Sequence, residues 1–337
     1  MGCGVIALGR HVPAIFRTEG LELHAVCEPD EGRRRRAAED LGIPHAFADP
    51  EAFLDSGIEV LSVASPAPFH EENVVAAARR RLPVLCEKPL APDGAGARRM
   101  IAAMRAAGAP LFTAFCYRFS PSALRIRELV REGAIGEPRV LRLVYIWGAH
   151  GKYLPDAEGR PALHRWREAR MIEGGPLVDC GTHQIDLARF WLGSEVVRHS
   201  GVGAWVDDYE APDHVWLHMD HASGAHTTVE VSYSYHHTTS ERRSEYVYEI
   251  VGTEGVIRYD RAARTLTVAD ARGTHPLPFH REKNFEGMYA ELTRFLETGE
   301  SRLLGTAEDG LRAIELARGA TEEAIRRRSS TAATTLP

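Results

Sequence analysis

Nowhere in the 337 residues is there a run of about 18 consecutive apolar side chains, so no helix is expected to cross a membrane. A leader of basic, then apolar, then small residues is also missing. Ile6 stands where a myristoylation signal opening on Met1-Gly2 needs Ser or Thr. Basic charge is in deficit: 41 Lys plus Arg against 47 Asp plus Glu give a formal charge of −6, which leaves no electrostatic footprint for nucleic acid or anionic lipid. Cysteine is sparse and unpatterned. Cys3, Cys27, Cys86, Cys116 and Cys180 are widely spaced and contain no CxxC pair, so they read as reduced small hydrophobes in a cytoplasmic protein.

What is present is enough apolar sequence, 44% of the chain, to bury at least one large core, at a length that favours two domains. Up to residue 115, short apolar runs at Leu21–Val26, Glu59–Ala64, Pro83–Cys86 and Pro110–Phe115 alternate with longer stretches rich in Ala, Arg and Glu. That rhythm predicts an α/β, Rossmann-like doubly wound parallel sheet over residues 1–116. From Pro138 the pattern becomes antiparallel, with strands expected at Val140–Trp147, Val196–Val206, Asp213–Met219, His226–Tyr235, Tyr246–Val251 and Val256–Tyr259. Helices are expected at Gly181–Leu192, Glu286–Glu297 and Ala307–Arg328, giving an α+β domain with a large mostly antiparallel sheet over residues 117–330. Residues 331–337 are expected to form a flexible tail. There is no internal repeat.

The chain starts Gly2-Cys3-Gly4-Val5-Ile6-Ala7, a G-x-G-x-x-A fingerprint that lets backbone approach a pyrophosphate at a helix N-terminus. Glu28 follows the next apolar run, 24 residues beyond Gly4, where an acidic side chain accepts from the adenosine ribose and repels a 2′-phosphate. NAD is therefore expected in preference to NADP. The Arg33–Arg36 run is read as a solvated helix face. Only Met1 precedes the fingerprint, so the sheet is expected to lack its central strand. We read this as a start set downstream of the true one, because the rest of the cofactor pattern persists.

Two further segments carry chemistry. Cys86-Glu87-Lys88-Pro89 closes a strand-like run and Asp179-Cys180-Gly181-Thr182-His183 opens a helix-like one. Together they supply a lysine, a carboxylate and an imidazole, the groups needed to bind a hydroxyl, orient it and take its proton. Asp179 and His183 are four apart and share a helical face. Each also has a plainer role open to it: Lys88 as a solvent-reaching strand end, Asp179 as a helix cap, His183 as a core histidine. Pro89 is a candidate for a cis peptide, and Glu87 for bracing the turn that carries Lys88.

In their order along the chain these residues resemble the Gfo/Idh/MocA family, the glucose-fructose oxidoreductase and inositol dehydrogenase group, over nearly the whole length. The matching series is Gly2-Cys3-Gly4, Glu28, Ser65-Pro66 with His70, Glu87-Lys88-Pro89, Tyr117-Arg118-Phe119, Gly133-Ala134-Ile135-Gly136, Trp166-Arg167, Gly174-Gly175, Asp179 with His183, and Gly252-Thr253-Glu254-Gly255. It departs at Ala67, where the family often has Asn, and at Glu173, where it often has Gly. The resemblance implies an NAD-dependent dehydrogenase acting on a secondary hydroxyl of a sugar, polyol or cyclitol. Lys88, Asp179 and His183 are then catalytic, and Gly2, Gly4, Val5, Ile6, Glu28, Ser65, Pro66, His70, Glu87 and Lys88 serve the cofactor. Two other classes share this fold, a non-catalytic regulator that senses NAD or a sugar and a glycosidase that uses NAD transiently.

Tyr117, Arg118, Trp147, His150, Trp166 and Arg167 are expected to bind the carbohydrate, aromatic rings stacking on its apolar face. The segment with Trp147 and Trp166 is equally suited to an interface, and Arg118 to an interdomain ion pair. His70 is placed either to cap the helix it begins or to touch cofactor. The histidines from His214 to His237 are split between strand faces without a recurring ligand spacing, so no metal site is expected. One face of the strand around Val229 and Val231 is apolar, and covering a broad sheet on both sides predicts a homodimer or homotetramer.

Overall fold

The computed structural model describes residues 1–147, 153–236 and 244–334. They form two compact units, residues 1–120 with 282–314 and residues 121–281 with 315–337. The first break falls between Ser120 and Pro121. The assignment of 282–314 to the first unit had no sequence signal, because its helix Phe285–Thr298 follows strands of the second.

In the first unit the strands are short: β1 Ala25–Cys27, β2 His45–Phe47, β3 Leu61–Val63, β4 Val84–Cys86 and β5 Leu111–Thr113. β3, β4 and β5 pair in parallel, and β1 pairs with β2 in parallel as a separate piece. Between the pieces stands the backbone of Met1 and Gly2. The Met1 ammonium donates to Ser62 O at 2.7 Å, Ala64 N–H donates to Met1 O at 2.9 Å, and Gly2 N–H donates to Cys27 O at 2.8 Å. The parallel strands thus lie in two pieces, and the glycine turn is anchored to both.

The second unit is built on eight strands. β6 Pro138–Ile146 is followed by the small pair β7 Tyr153–Pro155 and β8 Pro161–Leu163, then by β9 Val196–Ala204, β10 His214–His221 and β11 His226–Ser232. β12 Glu245–Gly252, β13 Gly255–Asp260, β14 Thr265–Asp270 and β15 Gly273–Leu277 complete it, in the order β15-β14-β13-β12-β6-β11-β10-β9. All neighbours are antiparallel except β6 with β11. The Gly252–Gly255 hairpin lies where the sequence places it, and it docks on the turn at Gly133–Gly136: Thr253 N–H donates to Glu137 O at 3.0 Å and Glu254 N–H to Ile135 O at 2.9 Å. The last helix, expected to end at Arg328, runs on to Thr334, where Ser329 and Ser330 hydroxyls donate to the carbonyls of Ile325 and Arg326.

That helix packs on β9 through small residues. A Cβ built on Gly201 would lie 2.0 Å from the carbonyl oxygen of Ala320, and one on Gly203 would lie 2.7 Å from the Pro212 side chain and 3.1 Å from that of Ala324. Backbone cannot yield as a side-chain tip can, so we predict that Gly201→Ala destabilises the protein by about 1–3 kcal/mol, read from urea unfolding. An unchanged midpoint would show that the helix can shift without cost.

Candidate active site

In the first unit the fingerprint builds a turn with space before it. Gly2 has φ +90°, and a Cβ there would lie 2.7 Å from Ser65 N. A Cβ on Gly4 meets nothing within 4 Å, and Val5, at the helix start, is 88% exposed. This open backbone at a helix N-terminus suits a pyrophosphate. Glu28, 4% exposed, closes the other side. Its Oε2 accepts Cys3 N–H at 2.8 Å, and its Oε1 accepts Asp30 N–H at 3.1 Å and Arg33 Nη2–H at 2.9 Å. Burial raises the Glu28 pKa, but these donors outweigh it and hold the carboxyl below its usual range.

Two of the four arginines therefore depart from the expected solvated face. Arg33 turns to Glu28, and Arg34 donates to the carbonyls of Glu28 and Pro29 at 2.8 and 3.0 Å. The run is at once a helix face and a clamp on the strand end.

Glu87 and Lys88 follow β4 directly, and the Lys88–Pro89 peptide is cis. Glu87 Oε2 accepts the Lys88 N–H at 3.0 Å, and Glu87 Oε1 is 2.9 Å from His11 Nε2. The other nitrogen of His11 lies 2.7 Å from the Tyr289 hydroxyl, which is 2.7 Å from Ser62 Oγ. Burial raises the Glu87 pKa, but the His11 hydrogen bond and charge, the Lys88 charge and the Lys88 N–H bring it below its usual range. His11 was not among the residues singled out in the sequence; it sits in an apolar run with nothing to mark it as a carboxylate partner.

His70 neither caps its helix by side chain nor reaches solvent. Its Nε2 is 2.8 Å from Ser65 O, and its Nδ1 is 3.1 Å from Pro89 O and 3.2 Å from Leu90 O, so the ring ties the Ser65-Pro66 turn to the turn after Lys88. Burial lowers its pKa. Ser65 accepts from Asn73, and Pro66 is exposed. Arg118 pairs with Asp309 at 2.9 Å and donates to Leu304 O at 3.3 Å, both within the first unit, and Tyr117 beside it is buried.

In the second unit the helix Thr182–Leu192 is entered through a π turn, Leu177–Gly181. Asp179 lies inside that turn and His183 one turn on, 6% and 5% exposed. Asp179 thus caps nothing: the chain is already helical from Pro176. The Tyr233 hydroxyl donates to Asp179 Oδ2 at 2.6 Å. Arg167, expected to bind substrate, is wholly buried, its Nη1–H donating to Tyr233 O at 2.8 Å. Trp166 is exposed beneath the guanidinium of Arg170, and Trp147 lies edge-on to Tyr246 with ring centres 5.8 Å apart. His150 and Lys152 lie outside the described residues, as does His237. Among the described residues no cluster of three His, Cys, Asp or Glu side chains could hold a metal ion, and no helix is long and apolar enough to cross a membrane.

The model of an oxidoreductase family with an NAD-binding Rossmann fold matches residues 1–115, and that of a GFO/IDH/MocA C-terminal domain matches residues 123–258. The chain is 29% identical to the myo-inositol 2-dehydrogenase of Thermotoga maritima over 98% of each chain. It is 27% identical to the scyllo-inositol 2-dehydrogenase (NAD(+)) of Bacillus subtilis over 88% of this chain and 85% of that one. Among solved structures, a probable dehydrogenase from Thermotoga maritima matches with a TM-score of 0.76 at 27% identity, covering 97% of this chain and 96% of that one.

The Glu87 carboxylate has a folded pKa below its unfolded value, so its contribution is full above the ordinary glutamate range and is lost as pH falls through the depressed value. We expect Glu87→Gln to cost about 1–3 kcal/mol at neutral pH. The gap from the wild type should narrow on acidification, measured by urea unfolding at both pH values. A gap independent of pH would show that the ionised carboxylate is not what stabilises this cluster.

Proposed function

The chain belongs to the Gfo/Idh/MocA family of oxidoreductases, and from that premise we propose that it transfers a hydride between NAD and a carbon bearing a secondary hydroxyl in a sugar, polyol or cyclitol. The observation that carries the reading is the pair Asp179 and His183, a carboxylate inside the π turn and an imidazole one turn beyond it, both buried on one helix. Buried polar groups at such a turn are often functional.

The residues of the first unit fit the cofactor. Gly4, Val5 and Ile6 offer open backbone to the pyrophosphate, Gly2 makes the tight turn against Ser65 that presents them, and Glu28 keeps lone pairs for ribose hydroxyls beyond those its donors occupy. Ser65 and Pro66 abut the glycine turn, while His70 and Glu87 act from behind as braces. When bound, NAD supplies the acceptor for the hydride. The protein's own groups handle the proton: His183 takes it from the hydroxyl, Lys88 hydrogen-bonds to the same oxygen, and Asp179 orients the substrate through its carboxylate. Tyr117, Trp147 and Trp166 are the candidates to face the carbohydrate ring, with His150 as expected from the sequence. The inositol 2-dehydrogenases among its relatives make a cyclitol the first substrate to try.

We extend the reading to assembly and place. Trp216, His218, Asp220, Thr228 and Glu230 form a half-buried row on the sheet face opposite the fully buried Val215, Leu217, Val229 and Val231. A second copy covering that row gives a homodimer or homotetramer, in the cytoplasm, where five buried free thiols are at home. Light scattering should report two or four chains; a monomer at micromolar concentration would remove the assembly reading.

NADH formation from myo-inositol, scyllo-inositol, levoglucosan or D-apiose should be observed with the intact protein. Net NADH from a free sugar or cyclitol separates a dehydrogenase from a sensor or an NAD-using glycosidase. Lys88→Ala and His183→Ala should each lower turnover by about a hundredfold or more while calorimetry finds NAD affinity nearly unchanged. Full turnover in both variants would overturn the catalytic assignment.

A further inference from the structure

Tyr233 looks like a core residue in the sequence, where it continues the apolar face of Val229 and Val231. In the structure its ring is buried on that face, but its hydroxyl donates to Asp179 Oδ2 at 2.6 Å. The thiol of Cys180 lies 3.4 Å from the same carboxylate oxygen and 3.4 Å from the phenol oxygen. Burial drives the phenol pKa well above its ordinary value, and the neighbouring Asp179 adds to the effect. The hydroxyl is therefore protonated at neutral pH, consistent with its place as donor to Asp179.

The backbone at Tyr233 is held on both sides. Its N–H donates to Asp213 O at 2.8 Å, and its carbonyl accepts Arg167 Nη1–H at 2.8 Å. Arg167 Nη2 lies 3.4 Å from Asp213 Oδ2, and both side chains are fully buried. The Asp213 carboxylate also accepts the N–H groups of Val206 and Asp207 and the Ser234 hydroxyl, each at 3.0 Å. A buried ion pair adds little stability over an apolar pair of the same size, so its use here lies in the geometry it fixes. That geometry is the position of residue 233 at the end of β11, across from the π turn.

We propose that Tyr233 is a positioning residue that holds the carboxylate of Asp179 for its part in catalysis, and that the buried Arg167–Asp213 pair exists to hold Tyr233. The inference rests on the catalytic reading of Asp179 given under the proposed function. It assigns Arg167 to a support two contacts removed from the substrate. A phenol donating to a carboxylate forms a charge-assisted bond, stronger and shorter than a neutral one, which restricts how the carboxylate can rotate.

The test is Tyr233→Phe, which removes one oxygen and keeps the ring. Titration of Asp179 is followed by NMR on protein carrying labelled aspartate carboxyls, with Asp179→Asn to assign the signal. The two elements packed against the turn bear other titratable groups, His226 and Glu230 on β11 and His183, Asp186 and Arg189 on the helix Thr182–Leu192, all unchanged by the substitution. The expected result is that Asp179 takes up its proton about one pH unit higher in the variant. With myo-inositol as substrate, kcat/KM should fall about tenfold and its acid limb should move up by the same amount, with NAD affinity unchanged. A merely structural tyrosine would alter stability without moving that limb.

An Asp179 titration identical in wild type and variant overturns the proposal. Failure of the wild type to oxidise myo-inositol, scyllo-inositol, levoglucosan or D-apiose would instead count against the proposed function, and the titration would still decide the role of Tyr233. If Tyr233→Phe does not fold, the unmodified protein gives the answer. Its Tyr233 hydroxyl proton signal should shift as Asp179 protonates, and a signal indifferent to that titration overturns the proposal.

Discussion

The carboxylate of Glu87 ties together the parts of the first unit that concern a cofactor and a lysine. One oxygen meets His11, on the helix that the glycine turn opens, and the other takes the main-chain N–H of Lys88. Through His11 the tie continues to Tyr289 on a helix from the far end of the sequence and to Ser62 on β3. A buried carboxylate left without donors would be strongly disfavoured, so the fold must bring all of these elements together at once. The lysine's backbone and the fingerprint helix consequently share one anchor, and neither can be displaced without exposing the charge.

The second unit meets a similar demand with an ion pair. Arg167 and Asp213, each without access to water, hold the backbone at Tyr233 through its carbonyl and its N–H. Where Glu87 joins helix to strand, this pair fixes the end of a strand at which the apolar alternation of β11 stops and polar contacts to the neighbouring helix begin. Both arrangements use several hydrogen bonds per buried charge, which is the condition under which such charges are tolerated.

The residues proposed to carry chemistry were more legible in the sequence than their supports. Glu28, Lys88, Asp179 and His183 stand at the ends of strands and the start of a helix, where pattern and spacing point, and the strands before Glu28 and Lys88 and the helix of His183 were placed to within a few residues. β2, β14 and β15 went unrecognised because they are short or weakly apolar, and β15 is largely exposed. His11, Tyr289 and Asp213 could not be found in this way. Each is a single polar residue whose partner is distant in the chain, and nothing local distinguishes it from an ordinary core or turn residue. Arg167 was visible as part of a motif, but a motif does not say whether a guanidinium faces a ligand or a backbone carbonyl.

Periodicity hid one further thing. The spacing of Asp179 and His183 was read on a regular α-helix, whereas the chain passes through a π turn at Leu177–Gly181, and a second π turn spans Ala7–His11. A π turn adds a residue per loop of the helix and so rotates the later turns relative to an apolar stripe of α-helical period. In each case a polar side chain, Asp179 or His11, is brought inward at that place to a hydrogen-bond partner on another element. The two irregular turns are therefore where each helix gives up regular hydrogen bonding so that a charged or titratable group can be buried with its partner, and they mark the two places where packing of the core and chemistry of the site meet.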